Sequence, residues 1–123
     1  MPVYNMLPTS GGGSTAEVLW EGNFSGAGSI TVPGISDWAL VGYVNYENET
    51  YILVGNPTRG GGLYGKYDSA SIETMAYRFG LSGDTLTVSS ADRVIYFENT
   101  TTYSGGNNNH IRKIYGLVKK SAQ

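Results

Sequence analysis

Cysteine is absent from the 123 residues. No disulfide framework and no thiolate metal site can form, and cysteine usage gives no reading of the redox compartment. Charge is scarce as well. Asp, Glu, Lys and Arg together make up 15% of the chain, against about 25% in a typical domain. The net charge is −2, and with Lys and Arg dispersed there is no electrostatic footprint for nucleic acid or an anionic membrane. No apolar run approaches the ~20 residues of a membrane-spanning helix. No basic segment followed by an apolar one opens the chain, so an export signal is not expected. Histidine occurs once, at His110, which excludes a multi-histidine metal site.

What is present suits one β-rich domain. Hydrophobic residues reach 40%, enough for an ordinary core at this length. Gly 18 and Tyr 10 are high counts, and Asn, Ser and Thr fill much of the remainder, so the surface is hydrogen-bonding rather than ionic. Residues 1–15 read as an N-terminal arm. In it, Val3, Tyr4, Met6 and Leu7 form an apolar knot between Pro2 and Pro8, and Thr9 to Thr15 has flexible-linker composition.

Residues 16–123 read as the folded domain. AEVLWEG places Val18 and Trp20 on one face, and GSITV stops before Pro33-Gly34, a strong turn signal. WALVGYVN and YILVGN are near-continuous apolar runs around Glu47-Asn48-Glu49, the pattern of a buried hairpin. GGGLYGKY is a Gly-rich strand or loop. DTLTVSS alternates with Leu86 and Val88 inward, and RVIYFEN and HIRKIYGLV supply the last strands. SIETMAYRFG fits two periods: Ile72, Met75, Ala76 and Phe79 at helical spacing, or Met75, Tyr77 and Phe79 in alternation. Its β neighbours and its aromatic residues favour a strand. The expected fold is all-β: an antiparallel β-sandwich or jelly-roll-like domain of about eight strands, with an extended N-terminal arm. Its edges need covering, and self-association is one way to do so.

Motifs that could carry chemistry are weak. Gly60-x-Gly62-x-x-Gly65 matches a dinucleotide fingerprint, and Gly60-x4-Gly65-Lys66 matches the start of a P-loop. Tyr67 stands where a P-loop needs a hydroxyl for magnesium, and no helix is expected to follow, so the segment reads as a loop. His110 lacks a G-x-S-x-G partner motif and reads as the residue after Asn107-Asn108-Asn109 that caps a loop or starts a strand. Asn45, Glu47 and Glu49 alternate as oxygen ligands for a weak Ca²⁺, with a solvated hairpin tip as the plainer account. No pair of carboxylates is singled out for glycosidase chemistry. The sequons at Asn23, Asn48 and Asn99 are accounted for by composition. No catalytic residue, cofactor or metal is expected, and the chain does not read as an enzyme. Tyr46, Tyr64, Tyr67 and Tyr103, the tyrosines nearest the turns, form the candidate ligand-binding surface, since exposed Tyr among Asn and Gly suits protein or carbohydrate contact.

The order NMLPTSGGG, VLWEGNFSGAGSITVPGISDWALV, GLSGDTLTV and HIRKIYGLV resembles small virion proteins of tailed bacteriophages and of prophages of Gram-positive bacteria. Trp20, Gly22, Ile30, Val32, Pro33, Gly34, Ser82 to Thr87 and Ile114 to Leu117 carry the likeness. It implies a β-sandwich shown on the particle surface, as a capsid decoration or head-fibre protein or a tail-tip component. Fibre-type members carry such a domain on a long shaft, so here the arm is expected to do the joining. Val3, Tyr4, Met6 and Leu7 would dock into another virion protein of capsid or tail. The expected state is a homotrimer assembled in the host cytoplasm, without nucleic-acid or membrane partners. The competing expectation is a tail receptor-binding module for host-surface carbohydrate.

Overall fold

The computed structural model describes residues 16–45, 51–66, 71–97, 100–105 and 109–121. They form β1 (Glu17–Ser25), β2 (Gly28–Thr31), a single 3₁₀ turn (Ile35–Asp37), β3 (Trp38–Asn45), β4 (Tyr51–Gly55), β5 (Arg59–Lys66), β6 (Ser71–Ser82), β7 (Thr85–Phe97), β8 (Thr100–Ser104) and β9 (His110–Lys119). All nine strands join one antiparallel sheet in the order β1-β9-β3-β4-β5-β6-β7-β2, with β8 paired to the second half of β7. The arm, residues 1–15, lies outside the described residues.

The two ends of that order are β1 and β2, yet only Gly26 and Ala27 separate them in the chain. Three Cα steps of about 3.8 Å keep their ends within roughly 11 Å. The sheet therefore curls until its first and last strands nearly meet, which makes it sandwich-like around one core. Val32, Ile35, Trp38, Val41, Tyr43, Leu53, Met75, Tyr77, Phe79, Leu86, Val88, Ala91, Ile111 and Ile114 form that core. A fully buried Leu, Ile or Met side chain contributes about 1.5–3 kcal/mol, whereas an intramolecular hydrogen bond contributes about 1 kcal/mol. Apolar burial thus holds the fold, and the polar contacts decide which turn lies where.

Alternation accounts for most of the inward set. In β6 Met75, Tyr77 and Phe79 are buried while Ile72, Ala76 and Arg78 are exposed, so the ambiguous segment is a strand. Leu86 and Val88 point inward as expected, and β3 and β4 form the expected hairpin. Two expectations need correction. Val18 does not share a face with Trp20: Leu19 is an extra residue against β9, this bulge inverts the alternation, and Val18 is exposed while Leu19 and Trp20 both pack on the core. The glycine-rich segment, open between strand and loop and taken as a loop at its phosphate-like motif, is a strand: Gly60 to Lys66 makes up most of β5, paired residue by residue with β6. The nine strands agree with the expected number of about eight: DTLTVSS and RVIYFEN fuse into β7, while β5 and Thr100–Ser104 (β8) each add one.

The glycines of β5 are explained by crowding. A Cβ at Gly60 would meet the Tyr77 hydroxyl at 2.5 Å, and one at Gly62 would meet the Ile52 carbonyl at 2.5 Å. The core tyrosines reach past this strand to the turn beside it. Tyr43 Oη donates to the Pro57 carbonyl at 2.8 Å and Tyr77 Oη to the Asn56 carbonyl at 2.7 Å. Asn56 Oδ1 in turn accepts from the backbone of Thr58 and of Arg59, at 2.9 and 2.8 Å. The turn that launches Arg59 is thereby fixed from inside and outside.

Motif residues meet in space. Pro33 and Gly34, with φ 84° at Gly34, turn the chain so that Asp84 of the SGDT turn accepts hydrogen bonds from the Gly34 and Ser36 backbone. Trp38 lies over Gly116 of β9, and Trp20 lies over Gly22 of β1, where a Cβ would come within 2.6 Å of the ring.

Candidate functional site

A shallow groove of about 310 Å³ crosses the outer face of β5, β6 and β7, lined by Arg59, Gly60, Ala76, Arg78, Ser90 and Asp92. Register places these side chains. Arg59 of β5 lies directly opposite Arg78 of β6, and Arg78 lies directly opposite Ser90 of β7. One position further along the same face, Ala76 faces Asp92. The floor is open because Ala76 carries only a methyl group and Gly61, directly opposite it on the same face, has no side chain. β7 is bulged here: Ser89 is an extra residue between the Arg78 and Phe79 pairings, and its hydroxyl donates to the Arg78 carbonyl at 2.8 Å. The bulge shifts β7 by one residue, so Ser90 and Asp92 face outward while Val88 and Ala91 stay in the core.

Two guanidinium groups directly opposite each other on adjacent strands repel, by about 0.2–1 kcal/mol relative to a neutral pair. Among the described residues neither has a carboxylate partner; the ion pair between Lys113 and Glu21 at 3.4 Å lies elsewhere, across β9 and β1. Asp92, on the same face, is engaged by Tyr103, whose hydroxyl pKa is pushed up, first by that hydrogen bond and then by the Asp92 charge.

Apolar side chains continue the face away from the groove. Leu63 faces Thr74, Thr74 faces Val94 and Val94 faces Tyr103, while Ile72 faces Tyr96 in the next row. Leu63 at 70%, Tyr103 at 66%, and Ile72 and Tyr96 at 47% are exposed. The other exposed large apolar side chains among the described residues, Val18 and Ile52, lie on β1 and β4. Charge, hydrogen-bonding groups and apolar area thus adjoin on one side of the molecule.

Of the tyrosines expected to form a binding surface, Tyr103 stands at the edge of this face. Tyr64 lies within β5 opposite Glu73, and Tyr46 and Tyr67 fall outside the described residues, as do the arm residues Val3, Tyr4, Met6 and Leu7. Arg59, Arg78, Ser90 and Asp92 did not stand out in the sequence. The signal that would have found the arginines is their equal distance from the β5–β6 turn, which becomes readable once both segments are taken as strands of a hairpin.

The other motifs resolve into structure. His110 Nε2 donates to Asn23 Oδ1 at 2.9 Å, and its backbone N–H donates to Asn45 Oδ1 at 3.0 Å, so His110 ties the start of β9 to β1 and β3. Asn45 is fully buried, and its Nδ2 donates to the Tyr43 carbonyl at 3.3 Å. Its amide therefore serves the backbone and does not face a hairpin-tip cation; Glu47 and Glu49 lie outside the described residues. Among the described residues no group of three or more His, Cys, Asp or Glu side chains is placed to hold a metal. Gly60 to Gly65 runs within a strand whose neighbour is β6, so this segment has no helix N-terminus to face a phosphate. No known protein family, curated protein or solved structure matches the chain.

Proposed function

We propose that this chain is a structural protein of a tailed-phage virion, displayed on the particle surface as a capsid decoration, head-fibre or tail-tip component and attached through its N-terminal arm. The observation that carries this reading is the one-sided outer face of β5 to β8, where Leu63, Ile72, Tyr96 and Tyr103 are exposed beside a polar groove. Such a face serves contact rather than chemistry. The resemblance to phage virion proteins gives the reading its particle. The residues that carry it are spent on fold-defining contacts: Gly34 and Ser36 with Asp84, Trp38 with Gly116, and Trp20 with Gly22. A homotrimer would cover part of the exposed face, and cyclic symmetry suits a virion axis.

The test is the copy number of this protein in particles purified from the phage or prophage that encodes it, by quantitative mass spectrometry against the major capsid protein. A fixed simple ratio supports a shell decoration, and a few copies per particle support a tail component. Absence from the particle overturns the proposal. Deleting residues 1–15 is expected to abolish attachment and leave the melting curve of the folded domain unchanged.

A second reading, a receptor-binding module for host-surface carbohydrate, is favoured by one specific observation. Tyr103, a well-exposed aromatic, stands beside Asp92 at the rim of the groove. An aromatic ring for stacking next to hydrogen-bonding groups suits a sugar.

A further inference from the structure

We infer that the groove binds the anionic group of an acidic saccharide, a carboxylate or phosphate ester, between Arg59 and Arg78. The inference rests on the carbohydrate reading and gives it a site and a charge. Three independent features of the face lead to it.

The first is the arginine pair. Arg59 and Arg78 are directly opposed in register, both exposed, and both line the same groove. A sheet gains nothing from this arrangement, since like charges directly opposite are destabilising. An oxyanion placed between them reverses the sign of the interaction. Each guanidinium presents a planar fork of donors that matches a carboxylate or phosphate, so two forks side by side can hold one such group by charge-assisted hydrogen bonds. The second feature is the Ser89 bulge. It interrupts the β6–β7 ladder next to Arg78 and brings Ser90 and Asp92 to the groove side of β7. A hydroxyl and a carboxylate are the groups that take and give hydrogen bonds to sugar hydroxyls. The third is Tyr103. Its ring is 66% exposed, and its hydroxyl is bonded to Asp92. Register sets Tyr103 opposite Val94, the next outward position after Asp92 on β7, at the edge of the groove where a pyranose face can stack.

Two alternatives fit less well. A nucleic acid needs a track of many cations to neutralise successive phosphates, and here a single arginine pair sits on a chain of net charge −2. A bare inorganic anion would use the arginines but leave Ser90, Asp92 and Tyr103 without a role. Arg59 and Arg78 are accordingly the specificity-determining residues for charge, and Tyr103 is the stacking platform.

The experiment is a titration of the full chain, followed by calorimetry and by amide chemical shifts, with four probes: glucose 6-phosphate, glucuronic acid, glucose and inorganic phosphate. Glucose 6-phosphate or glucuronic acid is expected to bind saturably, with shifts centred on Arg59, Arg78 and Asp92. Either should bind at least roughly tenfold tighter than glucose, the scale of one charge-assisted contact. Which of the two acids binds tighter assigns the anion. Arg59→Ala and Arg78→Ala should each remove the preference for the acid, while Arg112→Ala, on β9, should leave it intact. Arg78→Lys should restore it only in part, because the ammonium lacks the fork.

Glucose bound as tightly as the two acids overturns the inference and leaves the carbohydrate reading standing. Binding of no saccharide overturns both. Inorganic phosphate bound as tightly as glucose 6-phosphate overturns the saccharide assignment, and a preference for the acid that survives the Arg59→Ala/Arg78→Ala double variant overturns the site. Amide spectra of each variant without probe show whether it is folded, and the Arg78→Lys comparison remains available if an alanine variant is not.

Discussion

Asp84 and Gly34, fifty positions apart in sequence, are joined by one hydrogen bond: Asp84 Oδ2 accepts from the Gly34 N–H at 2.8 Å. The other carboxylate oxygen accepts from the Ser36 N–H at 3.2 Å and the Ser36 hydroxyl at 2.9 Å. One side chain in the β6–β7 turn thereby gathers the donors at the entry to the 3₁₀ turn. Nearby, the Val32 N–H donates to the Asp84 carbonyl at 2.8 Å, which completes the latch.

Replacing that carboxylate should show a definite pH signature. Accepting the backbone N–H groups of Gly34 and Ser36 holds the Asp84 carboxyl below its ordinary value of 3.8. A depressed folded-state value means that the stabilisation is fully present above the ordinary value and is lost as pH falls through the folded one. Asp84→Asn, which keeps the shape but exchanges an acceptor for a donor, is expected to lower the Tm at neutral pH. The gap to the parent should then close in acid, below 3.8. A calorimetric pH series checks this, and a gap that stays constant throughout would refute the latch as an ionised one.

The buried tyrosines should give the opposite dependence. Burial, and for Tyr43 also the neighbouring Tyr77, pushes both hydroxyls well above their ordinary value of 10.0. A raised folded-state value means that their contribution is complete below 10.0 and is lost as alkali rises through the folded values. Tyr43→Phe removes the donor to the Pro57 carbonyl and is expected to destabilise the protein at neutral pH by about 1–2 kcal/mol. Its alkaline unfolding should be shallower than the parent's. Urea midpoints at neutral and alkaline pH report both; an unchanged neutral midpoint would mean that the Tyr43 bond does not fasten the turn.

How far the sequence reached depends on where the period of two holds. It holds in β6, where Met75, Tyr77 and Phe79 enter the core in step, and in the first half of β7, where Leu86 and Val88 do the same. It fails where an extra residue enters a ladder. Leu19 puts Val18 and Trp20 on different faces, and Ser89 shifts the frame of Ser90 and Asp92, and no composition signal marks either bulge. The glycines of β5 misled for a different reason. Glycine is a poor strand former on its own account, and here it is required by the close approach of Tyr77, Met75 and Ile52 atoms, which only the folded pairing reveals. The site followed the same division. Tyr103 was legible as a tyrosine near a turn, whereas the Arg59–Arg78 pair exists only once hairpin register is known.

Gly116 gives a test of packing in the terminal KIYGL motif. The Trp38 indole lies directly over its Cα, close enough that any Cβ would collide with the ring. Trp38 is 3% exposed and belongs to the core, so neither partner can move away freely. Gly116→Ala is expected to cost about 1–3 kcal/mol as an overpacking change. Gly80→Ala is the control, since its Cβ would meet only Thr87 Cβ, at an ordinary 3.6 Å. Equal urea midpoints for the two variants would contradict the close contact.

The arginine pair makes a prediction that needs no ligand. If Arg59 and Arg78 face each other without a compensating anion, replacing one with an uncharged side chain should relieve repulsion. Arg78→Gln is therefore expected to be more stable than the parent at low ionic strength, by about 0.2–1 kcal/mol. Salt should erase the difference, because exposed charges are screened over roughly 10 Å at 0.1 M. Added glucuronic acid should reverse the order, since it stabilises only the protein that can bind it. Melting curves of both proteins across a salt series, with and without the acid, separate these contributions. A parent at least as stable as Arg78→Gln in low salt without ligand would show that the two guanidinium groups are already neutralised within the chain, and the groove would then have no uncompensated charge to offer.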